Sequence, residues 1–218
     1  MIKGALFDMD GVLVDNTAAH TEAFAIFCER YGVSDWREKL AQSYGMGNDD
    51  ILRRLLPAAV IRDHGVAALT NEKEAIYRAL YAPRMQPVAG LRTLLERLRD
   101  AGVRCAVGSS GPIDNVRMVL DGCRIAEFFE CRVSGDRVAH CKPDPEIYLT
   151  AAVGIALSPA ECVVFEDAPA GIESARRAGV GRIVTLATSF DRETLQAVAP
   201  ERIISDFTEI TDLKDLLR

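Results

Sequence analysis

Leu6-Phe7-Asp8-Met9-Asp10-Gly11-Val12-Leu13-Val14-Asp15 sets two carboxylates one residue apart, directly after a short apolar run and just before a glycine. Ala5-Leu6-Phe7 reads as a buried strand, which leaves Asp8 and Asp10 just past its C-terminal end. In an open α/β sheet that is where ligands bind. Two acids at such a point repel each other and lose hydration unless a cation or a shared proton relieves them. Turn-forming alone is the plainer reading of Asp-x-Asp-Gly; the cost of pairing the acids points instead to chemistry.

Downstream of Asp15 the texture becomes helical. Phe24, Phe27, Cys28 and Tyr31 share helical spacing between Thr17 and Gly32, and further helices are expected at about 49–56 and 71–82. Nothing between 17 and 84 has the pattern of a strand. Pro83 and Pro87-Val88-Ala89-Gly90 punctuate the chain, and from Leu91 strands alternate with helices. Leu91, Leu94, Leu95 and Leu98 form an amphipathic helix, and Val103–Val107 a strand. A helix at about 114–120 follows. Further strands are expected at 131–133, 162–165, 182–186 and 202–204, with helices at about 145–153 and 170–178. Alternation of this kind predicts a doubly wound parallel sheet, a Rossmann-like α/β core. An all-helical insertion splits it: residues 1–15 and 86–218 form the core and 16–85 a cap.

Apolar residues make up 49% and charged ones 27% of the 218 residues, a globular mixture. A net charge of −6 argues against nucleic acid or an anionic membrane as the main partner. The six cysteines, at 28, 105, 123, 131, 141 and 162, form no Cys-x-x-Cys pair and suit a reducing compartment. Asp8 and Asp10 interrupt what would be a signal-peptide apolar region, and no apolar run is long enough for a bilayer. A cytoplasmic protein is expected.

The informative loops share one feature: each follows a strand, so in a parallel sheet they lie along one edge. Asp8 and Asp10 follow the first strand, and Ser109-Ser110 the strand ending at Val107. Lys142 follows the 131–134 segment and leads into Pro143-Asp144-Pro145. Glu166-Asp167 follow Cys162–Phe165. Carboxylates, hydroxyls with nearby amides and one lysine suit phosphoryl transfer. Both a phosphate and an aspartate nucleophile are anions, so a divalent cation and a lysine are needed to let them meet. Mg²⁺ takes one or two carboxylates plus waters and phosphate; Asp8 and Asp167 would serve, with Glu166 in support. Ser109, Ser110 and adjacent amides would bind phosphate oxygens, and Lys142 would offset spreading charge. Taken singly, Lys142 is an ordinary surface lysine, Glu166-Asp167 a helix cap and Ser109-Ser110-Gly111 a connecting loop.

Four motifs in order carry a resemblance: Asp8-Met9-Asp10-Gly11-Val12-Leu13, Ser109-Ser110, Lys142-Pro143-Asp144-Pro145-Glu146-Ile147-Tyr148, and Phe165-Glu166-Asp167-Ala168-Pro169-Ala170-Gly171-Ile172. The chain is similar to the haloacid dehalogenase superfamily, in the beta-phosphoglucomutase-like phosphatase branch with a helical cap. The resemblance implies that Asp8 is the nucleophile and becomes an aspartyl-phosphate, with Asp10 as general acid and base. It also implies Mg²⁺ as cofactor, with the Asp10 main-chain carbonyl among its ligands beside Asp8, Glu166 and Asp167. The second acid separates phosphatases from dehalogenases proper, which need no proton donor.

The cap chooses the substrate in this family. His20, on the first cap helix, matches a histidine near the acid/base, although a lone histidine there is usually structural. Lys73 looks like a lysine that holds a second, non-transferring phosphate. Asn48 stands where the resemblance calls for an arginine, and a bidentate arginine–phosphate pair is strong. Arg53, Arg54 and Arg78 are its possible replacements, the first two expected on a solvated face. Trp36, Phe24 and Phe27 are expected in the cap interior, and Asp15 outside the catalytic set. The expectation is a monomeric Mg²⁺-dependent phosphatase of a small phosphorylated metabolite, a sugar phosphate. A phosphomutase is the alternative within the family, and a phospho-accepting receiver-like module the alternative outside it. Neither the cap nor Asp10 serves a receiver.

Overall fold

The computed structural model describes every residue except Tyr44 and Ala199. Six parallel strands, β1 (Gly4–Phe7), β2 (Arg104–Gly108), β3 (Phe129–Val133), β4 (Cys162–Glu166), β5 (Arg182–Leu186) and β6 (Arg202–Ile204), stand in the order β3-β2-β1-β4-β5-β6. The near-continuous apolar sequences of β1, β2, β4 and β5 are those of strands covered on both faces, whereas the edge strand β3 exposes Glu130 and Arg132. Side chains alternate between the faces as strand periodicity requires. Phe7, Val107, Phe165 and Val184 point into one cluster with the leucines of α6 (Leu91–Asp100). Leu6, Ala106, Val164 and Ile183 point into the other, against Ile147 and Tyr148 of α8 (Glu146–Gly154) and Ile172 of α9 (Pro169–Ala178). Phe7 stacks on Phe165 with ring centroids 4.6 Å apart and meets Phe129 edge-on at 5.7 Å.

β1 pairs with β2 on one side and β4 on the other. The chain therefore winds outward in both directions from β1, and its C-terminal end is the switch point at which such sheets bind ligands. α7 (Ile113–Gly122) follows β2, and α10 (Arg192–Ala197) and α11 (Lys214–Leu217) complete the C-terminal part.

Between β1 and α6 the described residues form five α-helices, α1 (Thr17–Arg30), α2 (Trp36–Ala41), α3 (Asn48–Leu55), α4 (Ala58–His64) and α5 (Val66–Tyr81). No strand occurs there among the described residues. Phe24, Phe27, Trp36, Leu40, Leu52 and Leu69 build a third apolar cluster of their own. The expected helix at 71–82 begins earlier, at Val66, because Gly65, at φ 81°, is the hinge between α4 and α5. The helices α2, α4, α10 and α11 were not anticipated: at four to seven residues they are too short for a periodic pattern. All six cysteines are free, with Cys28, Cys105, Cys123 and Cys162 buried.

Candidate active site

The Asp8 amide donates to the Phe165 carbonyl at 3.0 Å, extending the β1–β4 ladder by one step. This fixes Asp8 beside the residues that leave β4. Lys142, from the loop between β3 and α8, is 1% exposed and donates to Asp8 Oδ1 at 2.6 Å and to Glu166 Oε1 at 2.7 Å. Glu166 Oε1 also accepts from the Tyr148 hydroxyl at 2.7 Å, and its Oε2 from the amides of Asp167 (2.9 Å) and Ala168 (3.2 Å). With four donors Glu166 is held rigidly, and the Lys142 ammonium also lies 4.7 Å from the Tyr148 ring centroid.

Carboxylate oxygens of Asp8, Glu166 and Asp167 lie within 4.8 Å of one another, all buried. Three buried carboxylates face one ammonium. Burial pushes the Asp8 carboxyl up to about 7, with Glu166 and Asp10 adding to the rise and Lys142 opposing it. Asp167 is driven well above the usual carboxylate range by burial, then by Glu166 and Asp8. A dication would balance the remaining charge, and hard oxygen donors at this spacing would suit Mg²⁺.

Two glycines make room for the cluster. Gly11 turns the chain at φ +78°, and a Cβ there would stand 1.9 Å from Asp167 Oδ2. At Gly171, in the first turn of α9, a Cβ would stand 1.7 Å from Glu166 Oε1. Gly171→Ala is therefore expected to displace the Glu166 carboxylate and destabilise the fold by about 1–3 kcal/mol. Urea unfolding measures the loss, and a wild-type midpoint would contradict it.

Asp10 finds its hydrogen-bonding partners outside this cluster. Its Oδ1 accepts from Asn16 Nδ2 at 2.5 Å and lies 3.4 Å from His20 Nε2. His20 stacks on Tyr77 at 3.8 Å, and Asn16 also donates to the Tyr77 hydroxyl at 2.6 Å. On the other side of the imidazole, Lys73 Nζ is 3.4 Å from His20 Nδ1. Lys73 is buried, ion-paired with Glu74 and set 4.5 Å from the Phe24 ring centroid. Burial raises the Asp10 carboxyl, but the His20 and Asn16 contacts and the Lys73 charge outweigh it and leave the group below its ordinary value.

The chain of contacts continues into the core: Asn115 of α7 donates to Glu74 Oε2 at 2.5 Å and accepts from Arg78 at 3.0 Å. Ser110 Oγ donates to the Gly45 carbonyl at 3.0 Å, and the Thr17 and Ser189 hydroxyls meet at 2.7 Å. These contacts close the five-helix segment over the sheet edge. Ser109 is fully buried; its amide donates to Val133 and its hydroxyl accepts from the Gly111 amide at 3.0 Å. Asp8, Asp10, His20, Asn48, Lys73 and Ser110 line one cavity. Ser109 stands behind it.

Arg53, Arg54 and Asp15 are exposed, and Trp36, Phe24 and Phe27 lie in the third cluster, as expected. Arg78 donates to Asn115 and, like Arg53 and Arg54, is not among the residues that line the cavity. Sequence reasoning missed Asn16, Glu74, Tyr77 and Asn115, which belong to no strand-end motif. Tyr148, six residues after Lys142 in the lysine motif, joins the cluster through its hydroxyl on Glu166, a role that no sequence pattern marks.

The validoxylamine A 7′-phosphate phosphatase of Streptomyces hygroscopicus subsp. limoneus is 33% identical over 96% of both chains. Hexitol phosphatase A of Escherichia coli (strain K12) is 36% identical over 81% of this chain and 80% of that one. The crystal structure of CbbY from Rhodobacter sphaeroides in complex with xylulose-(1,5)bisphosphate matches with a TM-score of 0.82 at 26% identity, covering 99% of both chains. The family model for haloacid dehalogenase-like hydrolases matches residues 2–179. That span takes in everything from β1 to α9, and the chain belongs to the haloacid dehalogenase-like hydrolase family.

Proposed function

We propose that this phosphoric monoester hydrolase cleaves a small sugar phosphate with Mg²⁺, through an aspartyl-phosphate on Asp8. In this reading residues 1–15 and 86–218 are the catalytic core and 16–85 the cap of a cytoplasmic monomer that binds neither nucleic acid nor membrane. No helix among the described residues is long and apolar enough to cross a membrane. The observation that supports the reading best is the position of Asp8. Its carboxylate stands at the switch point, one oxygen on Lys142, beside two further acids that need a cation.

Asp8, Glu166, Asp167 and the Asp10 carbonyl would hold Mg²⁺, which when bound offsets the repulsion between carboxylate and phosphate dianion. An Asp8 carboxylate oxygen attacks phosphorus, the ester P–O bond breaks, and Asp10 gives its proton to the leaving oxygen. In the second half Asp10 takes a proton from water as that water attacks the same phosphorus, and the Asp8–phosphorus bond breaks to return the carboxylate. Lys142 offsets charge on the transferring group, while Ser109 and Ser110 with their neighbouring amides bind its oxygens. Asn16 and His20 orient Asp10. They favour its ionised form, and an approaching dianion raises its proton affinity again.

Asp10→Asn is expected to fold normally and lose about 10²–10⁴-fold in kcat; a wild-type rate would remove Asp10 from the mechanism. Phosphate release across a panel of phosphorylated sugars with Mg²⁺, beside an isomerisation assay on β-glucose 1-phosphate primed with its bisphosphate, tests the whole reading. Steady release without isomer is expected. Fast isomerisation with little free phosphate would make the chain a phosphomutase, and a long-lived phospho-aspartate without turnover would make it a receiver-like module.

A further inference from the structure

The four motifs follow β1 to β4, but β5 ends at the same edge of the sheet. It runs parallel to β4 with Thr185 opposite Glu166, so the turn after β5 passes beside Glu166-Asp167. That turn, Ala187-Thr188-Ser189-Phe190, lies beyond residue 179, where the match to the family model ends, and belongs to none of the motifs.

Thr188 Oγ1 donates to the Gly11 carbonyl at 2.5 Å, which pins the turn onto the loop that carries Asp8 and Asp10. Ser189 then lines the same cavity as Asp167 and Thr17. Its hydroxyl and the Asp167 carboxylate crowd one point above Gly11. A Cβ on that glycine would stand 1.9 Å from Asp167 Oδ2 and 2.7 Å from Ser189 Oγ.

The supply of protons sets the direction of the bonds here. Lys142 donates to Asp8 and Glu166, and the third acid, Asp167, takes a hydrogen bond from the Ser189 side chain. Burial, Glu166 and Asp8 all disfavour charge on Asp167, and this bond works against them. An ionised carboxylate only accepts, and a serine hydroxyl has one proton to give. With that proton on Asp167, the 2.7 Å contact between the Thr17 and Ser189 hydroxyls has Thr17 as its donor. Thr17 is the first residue of α1, so a directed chain of hydroxyls leads from the cap, through Ser189, to the acid cluster. A donor fixed in this way orients a carboxylate and favours the ionised form that binds a cation.

We propose that Ser189 is a positioning residue: directed by Thr17, its hydroxyl holds the Asp167 carboxylate oriented for Mg²⁺. This rests on the reading above that gives Asp167 to the metal, and it adds to that reading a link between metal and cap.

The test titrates Mg²⁺ alone into substrate-free protein and follows the rise in melting temperature, which reports affinity. Ser189→Ala is expected to need about tenfold more Mg²⁺ for the same rise, the lower end of what a hydrogen bond to a charged group contributes. Ser189→Thr keeps the hydroxyl and should stay within about twofold of wild type, whereas Thr17→Val removes the directing donor and should need about threefold more. The Mg²⁺ concentration that half-saturates phosphate release should move in step. A role in packing alone would lower the metal-free melting temperature of Ser189→Ala and leave its Mg²⁺ response at wild type, a result that would overturn the proposal. A wild-type response in Thr17→Val would overturn it as well, whether or not Ser189→Ala folds. In both cases Mg²⁺-dependent phosphate release by the wild type leaves the phosphatase reading standing. A wild type that neither responds to Mg²⁺ nor releases phosphate would overturn that reading and this proposal with it.

Discussion

Asp8→Asn abolishes phosphate release on this account, lowering kcat by about 10⁴-fold or more, as loss of a nucleophile does. The amide keeps an oxygen for the Lys142 hydrogen bond but has no lone pair basic enough to attack phosphorus. The fold should survive, because the change removes one of three crowded buried acids and leaves Lys142 its bond to Glu166. An unchanged circular dichroism spectrum and a melting temperature at or above wild type are expected in the absence of divalent metal. Activity above about 1% of wild type would remove Asp8 from the nucleophile's role.

Lys142→Met has the largest expected effect on stability, about 3–5 kcal/mol at pH 8 without divalent metal. That is the usual cost of removing one member of a buried ion pair. Lys142 is held charged despite its burial because the Asp8 and Glu166 carboxylates favour the ammonium. Without it, two buried carboxylates at 2.6 and 2.7 Å lose their counter-charge.

The pH dependence follows from Asp8, whose carboxyl rises from an ordinary 3.8 to about 7, chiefly through burial. Between those values the native chain holds a proton that the unfolded chain has released. The contribution of Asp8 to stability therefore falls as pH rises through that window and levels off above it. The Lys142→Met deficit should shrink toward pH 5, where Asp8 takes its proton, and Mg²⁺ should raise the melting temperature more at pH 8 than at pH 5. Urea unfolding at both values reads the first effect and thermal melts the second. A deficit independent of pH would mean that Lys142 acts only by packing.

Much of this architecture is legible in the sequence because buried parallel strands are short apolar runs and their C-terminal turns carry the polar residues. Asp8, Ser109, Lys142 and Glu166-Asp167 come from four distant segments, and the strand order brings their turns to one edge. The helices α3 and α6–α9 follow from apolar spacing or from punctuation by glycine and proline. The network behind Asp10 is a different matter. Asn16, Glu74, Tyr77 and Asn115 meet only because α1 and α5 fold back over α7, and no periodicity distinguishes a polar residue buried there from one facing water. Lys73 illustrates the difference: on sequence it is a free cation for a ligand, whereas in the fold Glu74 already neutralises it.

The most direct test of the central claim is to look for the aspartyl-phosphate itself. Wild-type enzyme turning over fructose 1-phosphate with Mg²⁺ is quenched in acid, digested and analysed by mass spectrometry. The account predicts one phosphoryl adduct on the peptide containing Asp8, removed by hydroxylamine as acyl phosphates are. Undiminished phosphate release with no adduct at Asp8, or with the adduct on another residue, would contradict it.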